Sequence, residues 1–100
     1  MAFKIIWSEE AHKTFAQNLD YLKREWSDKE IENFTHALNQ IIERIKNYPE
    51  SFPSSQKEPL IRRAKINKYI TLYFRYNSNN EQLHLITFWH SKQDPGRLKY

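Results

Sequence analysis

Apolar residues recur at helical spacing through the first half of this chain and at alternate positions through the second, so the period itself divides the sequence. Phe3, Ile5 and Trp7 alternate with Lys4 and Ile6, which predicts a short opening strand. Ser8 stands where a helix N-cap belongs, and Glu9 and Glu10 fill the first turn, where carboxylates favour the positive helix end. Ala11, Phe15, Leu19, Leu22 and Trp26 then mark one helical face, with Lys13, Asn18, Lys23 and Arg24 on the remainder. Ser27-Asp28-Lys29-Glu30 is a capping box, in which the Ser27 hydroxyl and the Glu30 carboxylate each take the other residue's amide. It opens a second helix with apolar positions at Ile31, Phe34, Leu38, Ile41, Ile45 and Tyr48, ended by Pro49. Each helix has a single apolar stripe to bury, and little chain separates them. They must fold back as an antiparallel hairpin over about residues 8–48.

Glu50 to Pro59 is rich in proline and serine and reads as a loop. Beyond it the alternation predicts strands over 61–66, 69–76 and 82–90. Turns fall at Asn67-Lys68 and Asn77-Ser78-Asn79-Asn80, asparagine being the residue after glycine that best tolerates positive φ. Residues 91–100 form a polar, basic tail carrying the turn signal Asp94-Pro95-Gly96. The order is β-α-α-β-β-β. The class is α+β, one domain over 1–100, with the helical hairpin packed on one face of an antiparallel C-terminal sheet (about 61–90) and the other face left open.

Strand parity says what that open face carries. In the middle strand Ile70, Leu72, Phe74 and Tyr76 suit the core, which leaves Tyr69, Thr71, Tyr73 and Arg75 outside. In the strand before it, Ala64 and Ile66 share a side with Arg62, so Arg63 and Lys65 face water. In the last strand Leu83, Leu85, Thr87 and Trp89 oppose His84, Ile86, Phe88 and His90, and both sets contain apolar residues. Its faces stay open.

Charge sharpens this picture. Residues 1–50 carry seven Lys and Arg against nine Asp and Glu, whereas residues 51–100 carry nine against three. The net +4 is therefore concentrated in the sheet half. An anionic partner, nucleic acid or acidic protein, suits such a surface, and so does plain solubility. Arg63, Lys65 and Arg75 with tyrosines among them, and Lys68, Lys92 and Arg97 near the edges, could meet phosphates and stack bases, or hold an acidic segment. Cysteine is absent, which excludes disulfides, thiolate metal sites and a thiol nucleophile. A single glycine, Gly96, excludes a glycine-rich phosphate loop, and Ser and Thr form no nucleophile elbow. His12, His36, His84 and His90 show no metal-ligand spacing, so neither metal nor cofactor is expected. His90, at the end of the last strand, is a candidate general acid or base, or else a capping or packing residue. There is no membrane-length apolar run and no signal peptide, and the chain reads as cytoplasmic.

The entry Ile5-Ile6-Trp7-Ser8-Glu9-Glu10-Ala11 resembles the strand-to-helix start of RelE/ParE-superfamily toxins. So do the helix end Ile41 to Pro49, the block Ile61-Arg62-Arg63, the strand Tyr69 to Phe74, and the ending Ile86 to Pro95 with its Trp89-His90-Ser91-Lys92-Gln93-Asp94-Pro95. The resemblance implies the toxin of a type II toxin–antitoxin module, held in a hetero-oligomer by a cognate antitoxin whose partly disordered chain wraps it. RelE-like members cut messenger RNA on the ribosome without a metal, using basic residues and a terminal-strand Tyr or His. ParE-like members share the fold, lack that set and poison DNA gyrase. The closing motif, the lone Lys57 before the second strand and the absence of Tyr from the last strand favour the ParE-like branch. On the alternative endoribonuclease reading the catalytic set is Arg63, Arg75 and His90. The binding residues would be Arg62, Lys65, Lys68, Tyr73, Lys92 and Arg97. A non-toxic nucleic-acid-binding or adaptor module is the third possibility.

Overall fold

Both helices begin where side-chain caps start them. Ser8 accepts the amide of Ala11 at 3.0 Å and donates its hydroxyl to the Ile86 carbonyl at 3.0 Å, so one residue caps a helix and ties it to the last strand. At Ser27 the capping box is complete: its hydroxyl accepts the Glu30 amide at 3.3 Å, and its own amide donates to the Glu30 carboxylate at 3.2 Å. The computed structural model describes residues 3–93 and 95–100. Its elements are β1 (Lys4–Trp7), α1 (Glu9–Glu25), α2 (Asp28–Asn47), β2 (Arg62–Lys65), β3 (Ile70–Asn77) and β4 (Gln82–His90). Pro49–Ser51 and Pro95–Arg97 are short 3-10 helices. Tyr48, expected on the apolar stripe, is instead 68% exposed, because it lies past the last turn of α2 as its C-cap.

The sheet runs β1-β4-β3-β2. β2, β3 and β4 are antiparallel neighbours, while β1 joins the far edge of β4 in parallel, so the sheet is mixed. A parallel neighbour needs a long connection, and between β1 and β4 it runs through both helices, β2 and β3. One side of the sheet is buried under them: Ala11 and Leu22 of α1 and Phe34, Leu38 and Ile45 of α2 pack with Ala64, Ile70, Leu72, Phe74, Leu83, Leu85 and Phe88. The asparagine turns work differently from the sequence expectation. Asn67 accepts the amides of Tyr69 and Ile70 at 2.8 and 2.9 Å, and Asn77 accepts that of Asn79 at 3.0 Å. The asparagines act through their side-chain oxygens, and positive φ among the described non-glycine residues falls on Glu81, at 54°.

β4 changes parity midway. Tyr73 pairs with Thr87 but the next residue, Phe74, pairs with Leu85, leaving Ile86 as an extra residue in a β-bulge. Leu83 and Leu85 therefore face the helices before the bulge, and Phe88 and His90 face them after it. Beyond Trp7, where β1 stops, polar groups of α1 take over as edge partners. Thr14 accepts the Phe88 amide at 3.0 Å, and Asn18 donates to the Phe88 carbonyl at 3.1 Å. Asn18, expected on the polar side of α1, is 6% exposed for this reason.

Candidate functional site

The side of the sheet away from the helices is built from three cross-strand rows: Lys65–Thr71–Trp89, Arg63–Tyr73–Thr87, and Arg75–His84–Ile6. Side chains directly opposite in antiparallel pairs are roughly 5 Å apart at Cβ, so these rows form one surface. Arg63, Lys65 and Arg75 are all exposed on it, as strand parity predicts. The face gathers three cations with no carboxylate in its rows.

Part of that face is covered, and not by the helices. Tyr100 lies over Tyr73, ring centroids 5.7 Å apart, and the Lys57 ammonium donates to the Leu98 carbonyl at 2.6 Å. Residues 98–100 thus fold back as a strap across the middle row. Tyr73 is buried beneath it at 6% exposure, and burial pushes its phenol above the ordinary 10.0, with Arg63 partly opposing. The Tyr100 phenol is raised by burial and then by the Glu10 and Glu58 carboxylates. Arg97 is exposed on the 3-10 turn that leads into the strap. Asp94 of the expected turn lies outside the described residues.

Other expected site residues are elsewhere. Arg62 is on the helix side of β2, where it donates to the carbonyls of Phe52 at 2.6 Å and Glu50 at 3.3 Å and covers the Tyr76 ring. It pins the loop to the sheet edge. Tyr69 precedes β3 and turns away from the open face to pack against Trp26 and His90. Lys68 sits over the Tyr69 ring. The Lys92 ammonium donates to the Tyr21 hydroxyl at 2.7 Å, a bond that holds its pKa above the ordinary 10.5.

His90 falls on the buried side because of the bulge, so it does not meet Arg63 and Arg75. It is 6% exposed, stacked on Tyr69 and edge-on to Tyr21. Its ring Nδ1 accepts the Lys92 amide at 3.1 Å, its backbone amide donates to the Gln93 side-chain carbonyl at 3.0 Å, and its carbonyl accepts the Gln93 amide at 3.0 Å. Residues 90–93 thus form a clasped turn that redirects the chain out of β4. Sequence reasoning missed His84, which stands opposite Arg75 on the open face. Only the register reveals that pairing. Among the described residues no three His, Asp or Glu side chains gather as a metal ion would require, and no helix is long and apolar enough to cross a membrane.

No family model and no curated protein matches this sequence. Solved structures do match its shape. The toxin–antitoxin complex RelBE2 of Mycobacterium tuberculosis includes a chain that superposes with a TM-score of 0.63, covering 90% of this chain and 99% of its own, at 10% identity. The YoeB/ParE toxin of Agrobacterium tumefaciens gives 0.61 over 87% and 96% at 15% identity. A mutant of E. coli toxin RelE in the free state gives 0.61 over 92% and 86% at 14% identity. This chain has the RelE/ParE fold. At such identities the likeness concerns the backbone, so the residues that a RelE/ParE fold uses here must be argued from this chain's own geometry.

One consequence is measurable without a partner. Burial, and then the Lys92 charge, lower the His90 pKa below the ordinary 6.5. Below pH 6.5 the unfolded chain takes up a proton that the folded imidazole resists, so stability is full above that pH and falls as the medium is acidified through the lowered value. Protonation would also remove the lone pair that accepts the Lys92 amide. Urea midpoints of the wild type should drop between neutrality and mild acid more steeply than those of His90→Gln; parallel curves would refute a buried neutral His90.

Proposed function

We propose that this protein is the toxin of a type II toxin–antitoxin module, neutralised by a cognate antitoxin, and that it arrests growth by binding DNA gyrase. The fold supports the toxin role, since toxins of this kind share it. The choice of target rests on one observation: Arg63 and Arg75 lie on one side of the sheet while His90 is buried on the other. Cleaving RNA through its 2′-hydroxyl needs a base within hydrogen-bond reach of the nucleophile and cations at the same phosphate. The expected trio cannot provide that. A cationic, partly aromatic sheet face suits the acidic, apolar-anchored segment of an antitoxin that orders on binding.

A second reading keeps ribosome-dependent cleavage of messenger RNA, with His84 in place of His90. It is favoured by the Arg75–His84 cross-strand pair, which sets a histidine opposite an arginine on the open face. Induced expression in a host without the antitoxin separates the two. On the gyrase reading, cells should filament and accumulate DNA damage, primer extension should find transcripts intact, and His84→Ala should not restore growth. New 5′ ends within coding regions, lost in Arg75→Ala and His84→Ala, would transfer the function to RNA cleavage. Unimpaired growth would leave a non-toxic adaptor.

A further inference from the structure

Among the described residues one buried side-chain atom has no hydrogen-bond partner: Nε2 of His90, sealed from water. Its character follows from the other ring nitrogen. Nδ1 accepts the Lys92 amide, so the proton of the neutral imidazole sits on Nε2, and the orphan is an N–H donor. A buried donor without an acceptor is unfavourable and rare.

His90 forms one wall of a cleft of about 210 Å³, with Gln17, Asn18 and Tyr21 of α1 and Lys92 and Gln93 of the clasped turn. Asn18 is fixed there by its bonds to the Thr14 and Phe88 carbonyls. The Lys92 ammonium at the rim binds the Tyr21 hydroxyl, and no carboxylate lies within 4.0 Å of it among the described residues, where the ion pair found is Lys46–Glu43. Glu25 is close enough to raise the Lys92 pKa without pairing with it. The place therefore combines a buried donor without an acceptor, an ammonium that no carboxylate of the described residues pairs within 4.0 Å, and a phenol, all around one cleft.

We propose that this cleft is a carboxylate-binding site, in which one carboxylate oxygen accepts from His90 Nε2 and the other from Lys92. Tyr21 lies edge-on to the His90 ring, centroids 4.6 Å apart, and is held by Lys92, so a carboxylate that draws the ammonium away frees the phenol ring to tilt and admit it. The guest is a single carboxylate, either of a free small acid or of an Asp or Glu side chain. The site stands on the side of the sheet away from Arg63 and Arg75 and does not depend on the toxin reading.

Long-range proton–nitrogen NMR of the whole chain at pH 7.5 tests it, with the His90 signals identified by their loss in His90→Gln. The probes are acetate, N-acetyl-aspartate amide and inorganic phosphate at matched ionic strength. Acetate and the aspartyl amide should each shift Nε2 saturably. Lys92→Met should weaken both by roughly tenfold or more, the loss expected for a charged hydrogen bond, and Lys92→Arg should retain them. Tighter binding of the aspartyl amide points to a protein side chain as the source, and tighter binding of acetate to a free acid. The proposal fails if neither probe saturates, if phosphate binds as well or better, or if the response survives Lys92→Met. Lys92 is exposed, so its variants should fold, which unchanged Phe88 ring signals would verify.

Discussion

Phe88→Ala is expected to cost about 3–5 kcal/mol and Leu85→Ala about 2–5 kcal/mol, both as core truncations. Phe88 is 1% exposed between Trp7 and Phe15, and Leu85 is 0% exposed opposite Phe74. These residues stand at odd spacing in one strand, so a regular strand could bury only one of them. Only the bulge at Ile86 lets both be core. Small domains are stable by roughly 5–15 kcal/mol, and Phe88→Ala should therefore leave a protein close to unfolding at growth temperature. Ile86, half-buried at the bulge, should tolerate alanine better than either neighbour. Urea denaturation of the three variants is the measurement. A loss below about 1 kcal/mol at Phe88 would mean that it faces outward and that β4 is unbulged.

Reversing two charges on the open face, Arg63→Glu with Arg75→Glu, should weaken capture by the proposed antitoxin by roughly a hundredfold or more. Like charges brought together at an interface cost several kcal/mol, and about 1.4 kcal/mol is tenfold in affinity. Both residues are exposed, so folding stability should change by no more than about 0.5 kcal/mol for each. A reversal of Lys68, which lies against Tyr69 on the other side, serves as the comparison and should affect capture far less. Calorimetric titration with the antitoxin reads both, and its salt dependence should flatten in the Arg63/Arg75 variant. Equal affinity for the double variant and the wild type would remove the open face from the interface.

The helix starts were legible to the residue because their signals are local. Ser8, Ser27 and Glu30 cap amides three residues away, and that geometry belongs to the backbone of one turn. Arg63, Lys65 and Arg75 were placed correctly because β2 and β3 keep strict alternation, with apolar partners on the opposite side. Tyr69 misled by lying one residue before β3, where the Asn67 turn still governs its direction. Arg62 looked like a free cation, since nothing in the sequence shows that the Phe52 carbonyl would come within 2.6 Å of it.

From sequence alone came the order of elements, the hairpin, the one-sided core and the concentration of positive charge on the later strands, since period and capping act over a few neighbouring residues. Tertiary structure decided where β1 docks, that Asn18 is buried, that Tyr100 covers Tyr73, and which side of the sheet receives His90. Each of these depends on a contact between residues dozens of positions apart. The bulge shows why such contacts matter: one additional residue in β4 exchanges the two faces beyond it, and pairing with β3 rather than composition selects where that residue goes.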